Sequence, residues 1–510
     1  MLACLAIAAA ILAGCGGGGG NKNVDVGPAA AVPENAALYL DATVKPTGAA
    51  KADANAALGK ILGTGDPGGK IVSLLEQQSK AGGHPIDYQT DVAPWLGQKA
   101  AFFFTSFAGP AAQGAAVVET TNPAASLAFA RKASGASSTN PAPQTYNGVS
   151  YQTDPSQPGN VFGVVDRFLV DGDLAGFKAA VDASRGSSLG DSSDFKDSIA
   201  DLPSDRLGTL YTIPKAFIDS LGPGQVDPSS KALLEQSAGE SLSKPVAGAV
   251  TANASSIQLE ATGGNNGVET PESSLLGTVP SDSWLALGIG HLGDTIKANL
   301  DQFKNNIPNF DAAAQQIQAA TGASIEQLTG ALGDAVIYVG GTTQPTLTGA
   351  LVVQTKDPSL TGRLLGQLRS LLQLGAGSSG VSIKPLQLSG GGTGFQLSGP
   401  TIAPQPVEIA QQGDKIVIAY GAGSAERSLT PAQPLSSSEP FSTAKGQVSS
   451  LGTDFFLDLP KVFALAEASG AKSDPQYLQA KPYLGALSYL VSGSGTEHDK
   501  TEVKAVLGLK

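Results

Sequence analysis

The sequence predicts an α+β protein of two tandem homologous lobes, each a mainly antiparallel sheet with packed helices. Three observations lead there. Apolar stretches follow one another across short turns, which favours antiparallel pairing. Helical patterns fall between groups of strands rather than after every strand, which separates α+β from α/β. The order of elements then recurs with matching residues in the second half of the 510-residue chain, the signature of an internal repeat.

Each lobe reads as a strand, helices, two strands, a helix, two or three strands, helices, a strand, a short helix and C-terminal strands. Val32-Pro33 leads into the strand Ala37-Leu38-Tyr39-Leu40, and Val279-Pro280 into Trp284-Leu285-Ala286-Leu287. Trp95-Leu96-Gly97 precedes the apolar run Ala101 to Phe104, as Ala331-Leu332-Gly333 precedes Ala335 to Val339. Gly114-Ala115-Ala116-Val117-Val118 runs on to Asn122-Pro123, and Gly349-Ala350-Leu351-Val352-Val353 to Asp357-Pro358. Asn122 and Asp357 are expected N-caps, accepting free amide hydrogens of the first helical turn. The prolines stand at N1, where a missing N–H costs nothing. Leu360, Leu364, Leu368 and Leu371 then recur at helical spacing, which predicts a core-facing stripe.

Further on, Asp166 to Val170 matches Asp414 to Ile418, Ser193-Asp194-Phe195 matches Glu439-Pro440-Phe441, and Thr212 to Phe217 matches Asp458 to Phe463. The offset drifts (358 − 123 = 235; 460 − 214 = 246), so loops vary while the order holds. The expected repeats are residues 32–262 and 278–510, with a Gly-, Asn- and Ser-rich linker at 263–277. Ser137 to Gln144 is expected to be a surface loop.

The N-terminus supplies an address. Residues 1–14 form a short apolar run ending in small residues, too short to span a bilayer and patterned as a secretory signal. Leu12-Ala13-Gly14-Cys15 reads as a lipobox, with Cys15 as the lipid-accepting residue. Gly16 to Gly20 begin a flexible stem expected over residues 15–31. No Lys or Arg precedes Cys15, so the natural start is expected farther upstream. The chain's 2 cysteines are Cys4 and Cys15. Only Cys15 would survive cleavage, which leaves no disulfide framework and no thiolate metal site. A lipoprotein's diacylglyceryl group on the sulfur would supply the anchoring that one acyl chain cannot.

Charged residues make up 15% of the chain, against roughly 25% in ordinary soluble proteins. The formal net charge of −12 argues against a nucleic-acid partner, which needs a basic footprint. It also argues against docking on anionic lipid heads. The membrane is therefore reached through the N-terminal lipid, with an envelope protein or an apolar ligand as the expected further partner.

Val32 to Leu40, with its Val-Pro-x-x-Ala-x-Leu-Tyr-Leu order, the Asp91-Val92-Ala93-Pro94-Trp95-Leu96-Gly97 motif and the Val-Val-x-Thr-x-Asn-Pro helix start together resemble the bacterial DUF3352 family. The likeness covers nearly the whole mature chain. The second half departs from it, with Gly330-Ala331-Leu332-Gly333 where Pro-Trp-Leu-Gly would stand. The resemblance implies a fold and an envelope location, and it carries over no functional residues.

No residue pattern names a chemistry, and no catalytic residue, cofactor or metal is expected. His84 lies in a turn, His291 at a strand end and His498 in a charged turn, none with a metal-ligand or triad neighbour at useful spacing. Gly421 to Glu426 has the look of a phosphate cradle but lacks its third glycine and its lysine. Asp171-Gly172-Asp173 resembles half of a calcium loop without the remaining ligands, and with Leu174 to Gly176 it reads as a structural turn. Ser-x-x-Lys occurs at Ser193, Ser241 and Ser442, without the companion elements of penicillin-recognising enzymes. Asp191, Asp194, Asp197 and Asp201 read as a solvated helix face. Phe102, Phe103 and Phe104 predict a strand covered on both faces, or else a pocket wall. The expected function is a membrane-anchored, non-enzymatic binding or scaffold module. The alternatives are a carrier of an apolar or lipid-like ligand, and a hydrolase with an unrecognised site.

Overall fold

A computed structural model describes residues 26–108, 112–222, 224–227, 230–232, 235, 239–264, 271–298, 300, 304, 309–376, 380–400, 402–497 and 500–510. Cys15 and His498 lie outside these residues. The protein is α+β, and it divides into one compact unit ending at Asn266 and another from Gly267 to Gly508.

The first unit contains β1 (Leu38–Thr43), β2 (Leu96–Ser106), β3 (Gln113–Thr120), β4 (Gln144–Tyr146), β5 (Val149–Thr153), β6 (Asn160–Val165), β7 (Phe168–Asp173), β8 (Gly208–Thr212), β9 (Val246–Asn253) and β10 (Ser256–Gly264). Neighbours pair antiparallel in the order β4-β5-β6-β7-β3-β2-β1-β8-β9-β10. Its helices are α1 (Gly48–Leu62), α2 (Pro67–Ala81), α3 (Pro123–Ser134), α4 (Leu174–Arg185), α5 (Ser193–Ala200) and α6 (Pro214–Ser220).

The second unit contains β11 (Ser283–Ile289), β12 (Leu332–Gly340), β13 (Thr348–Thr355), β14 (Ser382–Gln387), β15 (Thr393–Ser398), β16 (Val407–Gln412), β17 (Lys415–Tyr420), β18 (Gly452–Asp458), β19 (Leu487–Glu497) and β20 (Lys500–Leu509). Their order is β14-β15-β16-β17-β13-β12-β11-β18-β19-β20. Around them stand α7 (Leu292–Ala298), α8 (Phe310–Thr321), α9 (Ile325–Gly330), α10 (Pro358–Ala376), α11 (Ser424–Leu429), α12 (Glu439–Gln447), α13 (Leu459–Ala468) and α14 (Pro475–Leu484).

Both expected N-caps form. Asn122 Oδ1 accepts from the Ala125 amide at 3.2 Å and Asp357 Oδ1 from the Leu360 amide at 2.9 Å. Phe195 and Phe441, of one matched pair of segments, are core residues. Phe195 meets Tyr211 edge-on at 5.1 Å in the first unit, and Phe441 meets Phe456 edge-on at 5.2 Å in the second.

Several expectations need correction. Each unit has four strands, not two or three, after its first long strand pair and the helix that follows. β4 escapes the sequence pattern because it is 3 residues long and follows a Ser-, Thr-, Asn- and Pro-rich stretch. Gly27–Ala31 is a 3-10 helix with Ala29 and Ala31 fully buried, so the end of the expected flexible stem belongs to the core of the first unit. The leucine stripe of α10 is only half covered: Leu360 is 7% exposed, but Leu371 is 59% exposed. The 19-residue helix, roughly 28 Å long at 1.5 Å per residue, outruns the small cluster that Leu360 and Leu364 pack against.

The match of Asp166–Val170 to Asp414–Ile418 is slipped by one. The Thr120 amide donates to the Arg167 carbonyl, and the Thr355 amide donates to that of Asp414. Val170 lies opposite Val117 as Val417 lies opposite Val352. Counted along the strands from these pairs, Asp171 takes the register position in the first unit that Ile418 takes in the second. A one-residue slip along a strand exchanges its two faces, and it conceals which way Asp171 points.

A candidate ligand cavity in the first unit

The first sheet is covered on both faces, and the two coverings differ. On one face Tyr39, Phe103, Val117, Val170 and Tyr211 pack against Phe177 and Val181 of α4 and Phe195 and Ile199 of α5. This layer is tight enough to need glycine. A Cβ on Gly114 would lie 2.0 Å from the Phe103 carbonyl oxygen, and one on Gly176 would lie 2.3 Å from the Gly114 backbone.

Side chains one residue along point to the other face. Phe102 and Phe104 therefore leave that core while Phe103 is fully buried within it. Here the sheet meets α2, α3 and a one-turn π-helix at Tyr88–Val92, and the packing is incomplete. A cavity of about 380 Å³ remains, walled by Leu75, Ile86, Tyr88, Val92, Trp95, Leu96, Phe102, Phe104, Val118 and Phe129 among others. Trp95 is held by its indole N–H, which donates to the Asp91 carbonyl at 2.6 Å, and by a tilted ring contact with Phe129 at 5.2 Å.

Strand register shows how polarity is laid out. Leu96 pairs with Thr120, Ala100 with Val118 and Phe102 with Ala116. On the other side of β3, Leu169 pairs with Val118 and Asp171 with Ala116. The Trp95 end of the floor is thus apolar. The end near Gly114 carries Asp171 and Asp173, with Asp154, Gln157 and Asn160 also in the wall. Gly114 to Thr120 spans roughly 20 Å at about 3.3 Å per residue, room for an elongated molecule.

Four carboxylic residues line the cavity, and three are spoken for. Asp173 caps α4 through the Ala175 and Gly176 amides and also accepts from the Gly114 amide at 2.6 Å. Asp154 accepts from the Ser156 amide at 2.7 Å and hydroxyl at 2.6 Å. Glu76 accepts from the Tyr88 amide at 2.9 Å. Asp171 accepts no hydrogen bond from any described residue. Burial, with the Asp154 charge nearby, pushes its carboxyl up to about 6. Asp41 on β1 differs in its partners, since Tyr39 and the Thr209 amide both donate to it, although burial pushes its carboxyl up as well. Tyr88 is 4% exposed, its hydroxyl is buried without a partner among the described residues, and burial pushes its phenol up. Among the described residues the lining contains no Lys, Arg or His.

The other singled-out residues go elsewhere. His84 packs against Gly135 at the end of α3. His291 adopts a left-handed backbone and its amide donates to Asp334. Gly421 and Gly423 make the left-handed turn into α11. Lys445 pairs with Glu272 and Lys196 donates to the Asp191 carbonyl, so each lysine turns from the serine three residues before it. Asp191 belongs to a separate 3-10 turn, where its carboxylate accepts from Ser188, and not to the face of α5. Asp171-Gly172-Asp173 is the end of a strand running directly into α4, and not a turn. Among the described residues no group of three or more His, Cys, Asp or Glu side chains is placed to hold a metal ion. No described helix is long and apolar enough to cross a membrane.

Fold and cavity define an antiparallel α+β protein with a largely apolar internal site in its first unit. The chain belongs to the DUF3352 family: the model of that family, described as a protein of unknown function, matches residues 68–508. No curated protein and no solved structure matches it.

Proposed function

We propose that this protein is an extracytoplasmic binding module, held on the cell membrane through a lipid on Cys15, whose first repeat carries an apolar or lipid-like ligand. The cavity of about 380 Å³ is the observation that carries this reading. Its volume and apolar walls suit a small ligand with few polar groups, and they favour a carrier over a scaffold.

The duplication is part of the proposal. Numbering the second unit's strands from β11 reproduces the first unit's order strand for strand. The Leu189 amide donates to the Val32 carbonyl as the Leu435 amide does to that of Val279, both at 2.7 Å. The Thr121 amide donates to Trp95 as the Lys356 amide does to Ala331. On this reading residues 26–264 and 273–510 are two copies, the ends of the expected 263–277 linker belonging to β10 and to the second core, and one copy has kept or acquired a ligand site. Where the first copy has Ala116 and Asp171, the second has Leu351 and Ile418, paired in the same register.

Native mass spectrometry of protein extracted from its own envelope tests the carrier reading. A co-purifying apolar molecule that is lost in Ala116→Leu is the expected result; wild-type protein that neither retains nor takes up such molecules refutes it. The anchor is tested separately. Cys15→Ser should leave the membrane fraction and lose its lipid mass, and a variant that stays bound and unchanged in mass refutes lipidation.

A further inference from the structure

Resting on the carrier reading, the structure assigns a headgroup class to the ligand. We infer that the cavity takes amphiphiles whose polar end donates hydrogen bonds or is cationic, such as amines and alcohols, with Asp171 as the receiving group. It rejects amphiphiles with carboxylate or phosphate heads.

Charge and unmet hydrogen bonding both point this way. An anionic head placed beside Asp171 would share the cavity with Asp154 and Asp173, and the described lining offers it no Lys, Arg or His. Like charges at such range in a poorly solvated site cost several-fold to many-fold in affinity. A donor or cation finds the reverse. Asp173, Asp154 and Glu76 are already engaged by backbone amides, so Asp171 is the carboxylic group with capacity to spare. An unpaired buried carboxyl is costly, and a ligand that supplies its missing partner recovers that cost on binding. Burial, and then the Asp154 charge, hold the carboxyl above its ordinary range, in keeping with a poorly solvated position. The strand register sets the orientation, with the head at the Gly114 end and the tail along Val118 toward Trp95. The partnerless Tyr88 hydroxyl is a further group a ligand can reach, as donor or acceptor.

The test uses Trp284→Phe protein without its leader, leaving Trp95 as the reporter. Decylamine, decanol and decanoate are titrated below their micelle concentrations at pH 7.5, with Trp95 emission as readout. The amine and alcohol are expected to bind at least tenfold more tightly than the carboxylate. Asp171→Asn should weaken the amine about tenfold and leave the alcohol nearly unchanged, since the amide oxygen still accepts. Decanoate binding as tightly as decylamine would overturn the headgroup inference while leaving the cavity reading standing. Binding of none of the three would overturn the cavity reading itself. The headgroup series on the unsubstituted cavity decides the question even if Asp171→Asn folds poorly.

Discussion

Asp171→Asn should make the first unit more stable at neutral pH, in contrast to most changes of a buried residue. In the fold the carboxyl titrates at about 6 against an ordinary 3.8, because burial and then the Asp154 charge disfavour the anion. Well below pH 3.8 the group is protonated in both states and contributes nothing. Between there and about 6 the folded protein keeps a proton that the unfolded chain has released, so stability falls as pH rises. Above that range the full cost is present, about 3 kcal/mol at 1.36 kcal/mol per pH unit of displacement. Asparagine carries no charge to desolvate. Its advantage should therefore be at most about 0.5 kcal/mol at pH 4 and rise to about 1–3 kcal/mol at pH 7.5. The repulsion from Asp154 is part of the cost that asparagine removes, while Glu76 and Asp173, which line the same cavity, are present in both proteins. Urea denaturation read from Trp95 in the Trp284→Phe background isolates the first unit. A constant difference across pH 4 to 7.5, or an asparagine variant weakened most at neutral pH, would refute the reasoning.

Other expectations are simpler. Ala116→Leu borrows the residue found in the same register of the second unit, and it should fill the cavity floor; amphiphile titration should show at least a tenfold loss with the urea midpoint little changed. Gly114→Ala drives a Cβ to 2.0 Å from the Phe103 carbonyl, so denaturation should show roughly 1–3 kcal/mol lost to overpacking. Asp173→Ala removes the α4 cap and the Gly114 contact together, and should cost about 1–2 kcal/mol by the same measurement. Phe441→Ala removes the ring that meets Phe456 and should cost about 3–5 kcal/mol, seen in Trp284 emission before Trp95 emission changes.

The fold was legible where sequence pattern and backbone chemistry agree. Asn122-Pro123 and Asp357-Pro358 marked helix starts because cap and proline act within one turn. Phe102 to Phe104 announced a two-sided strand, and Phe103 indeed went to one face and its neighbours to the other. What failed was register. Residue likeness pairs Asp166 with Asp414, whereas the feature the two hairpins share is a backbone hydrogen bond. That slip hides Asp171, which then reads as part of a turn. A signal was present: a lone acid continuing the apolar run Phe168-Leu169-Val170 is out of place on an inward-facing strand. The cavity itself was not legible, because a gap between layers depends on how α2 and α3 rest on the sheet. Small residues such as Ala116 and Ala130 are equally suited to tight packing and to a void.

The most direct test of a ligand site in the first unit uses a brominated decanol, whose bromine quenches indole emission on contact. With Trp95 as the one tryptophan, quenching should saturate at one molecule per chain and disappear in Ala116→Leu. With Trp284 as the one tryptophan, in Trp95→Phe, emission should stay unquenched. Equal quenching of both indoles, or saturation that Ala116→Leu leaves untouched, would contradict the assignment of the ligand to this cavity.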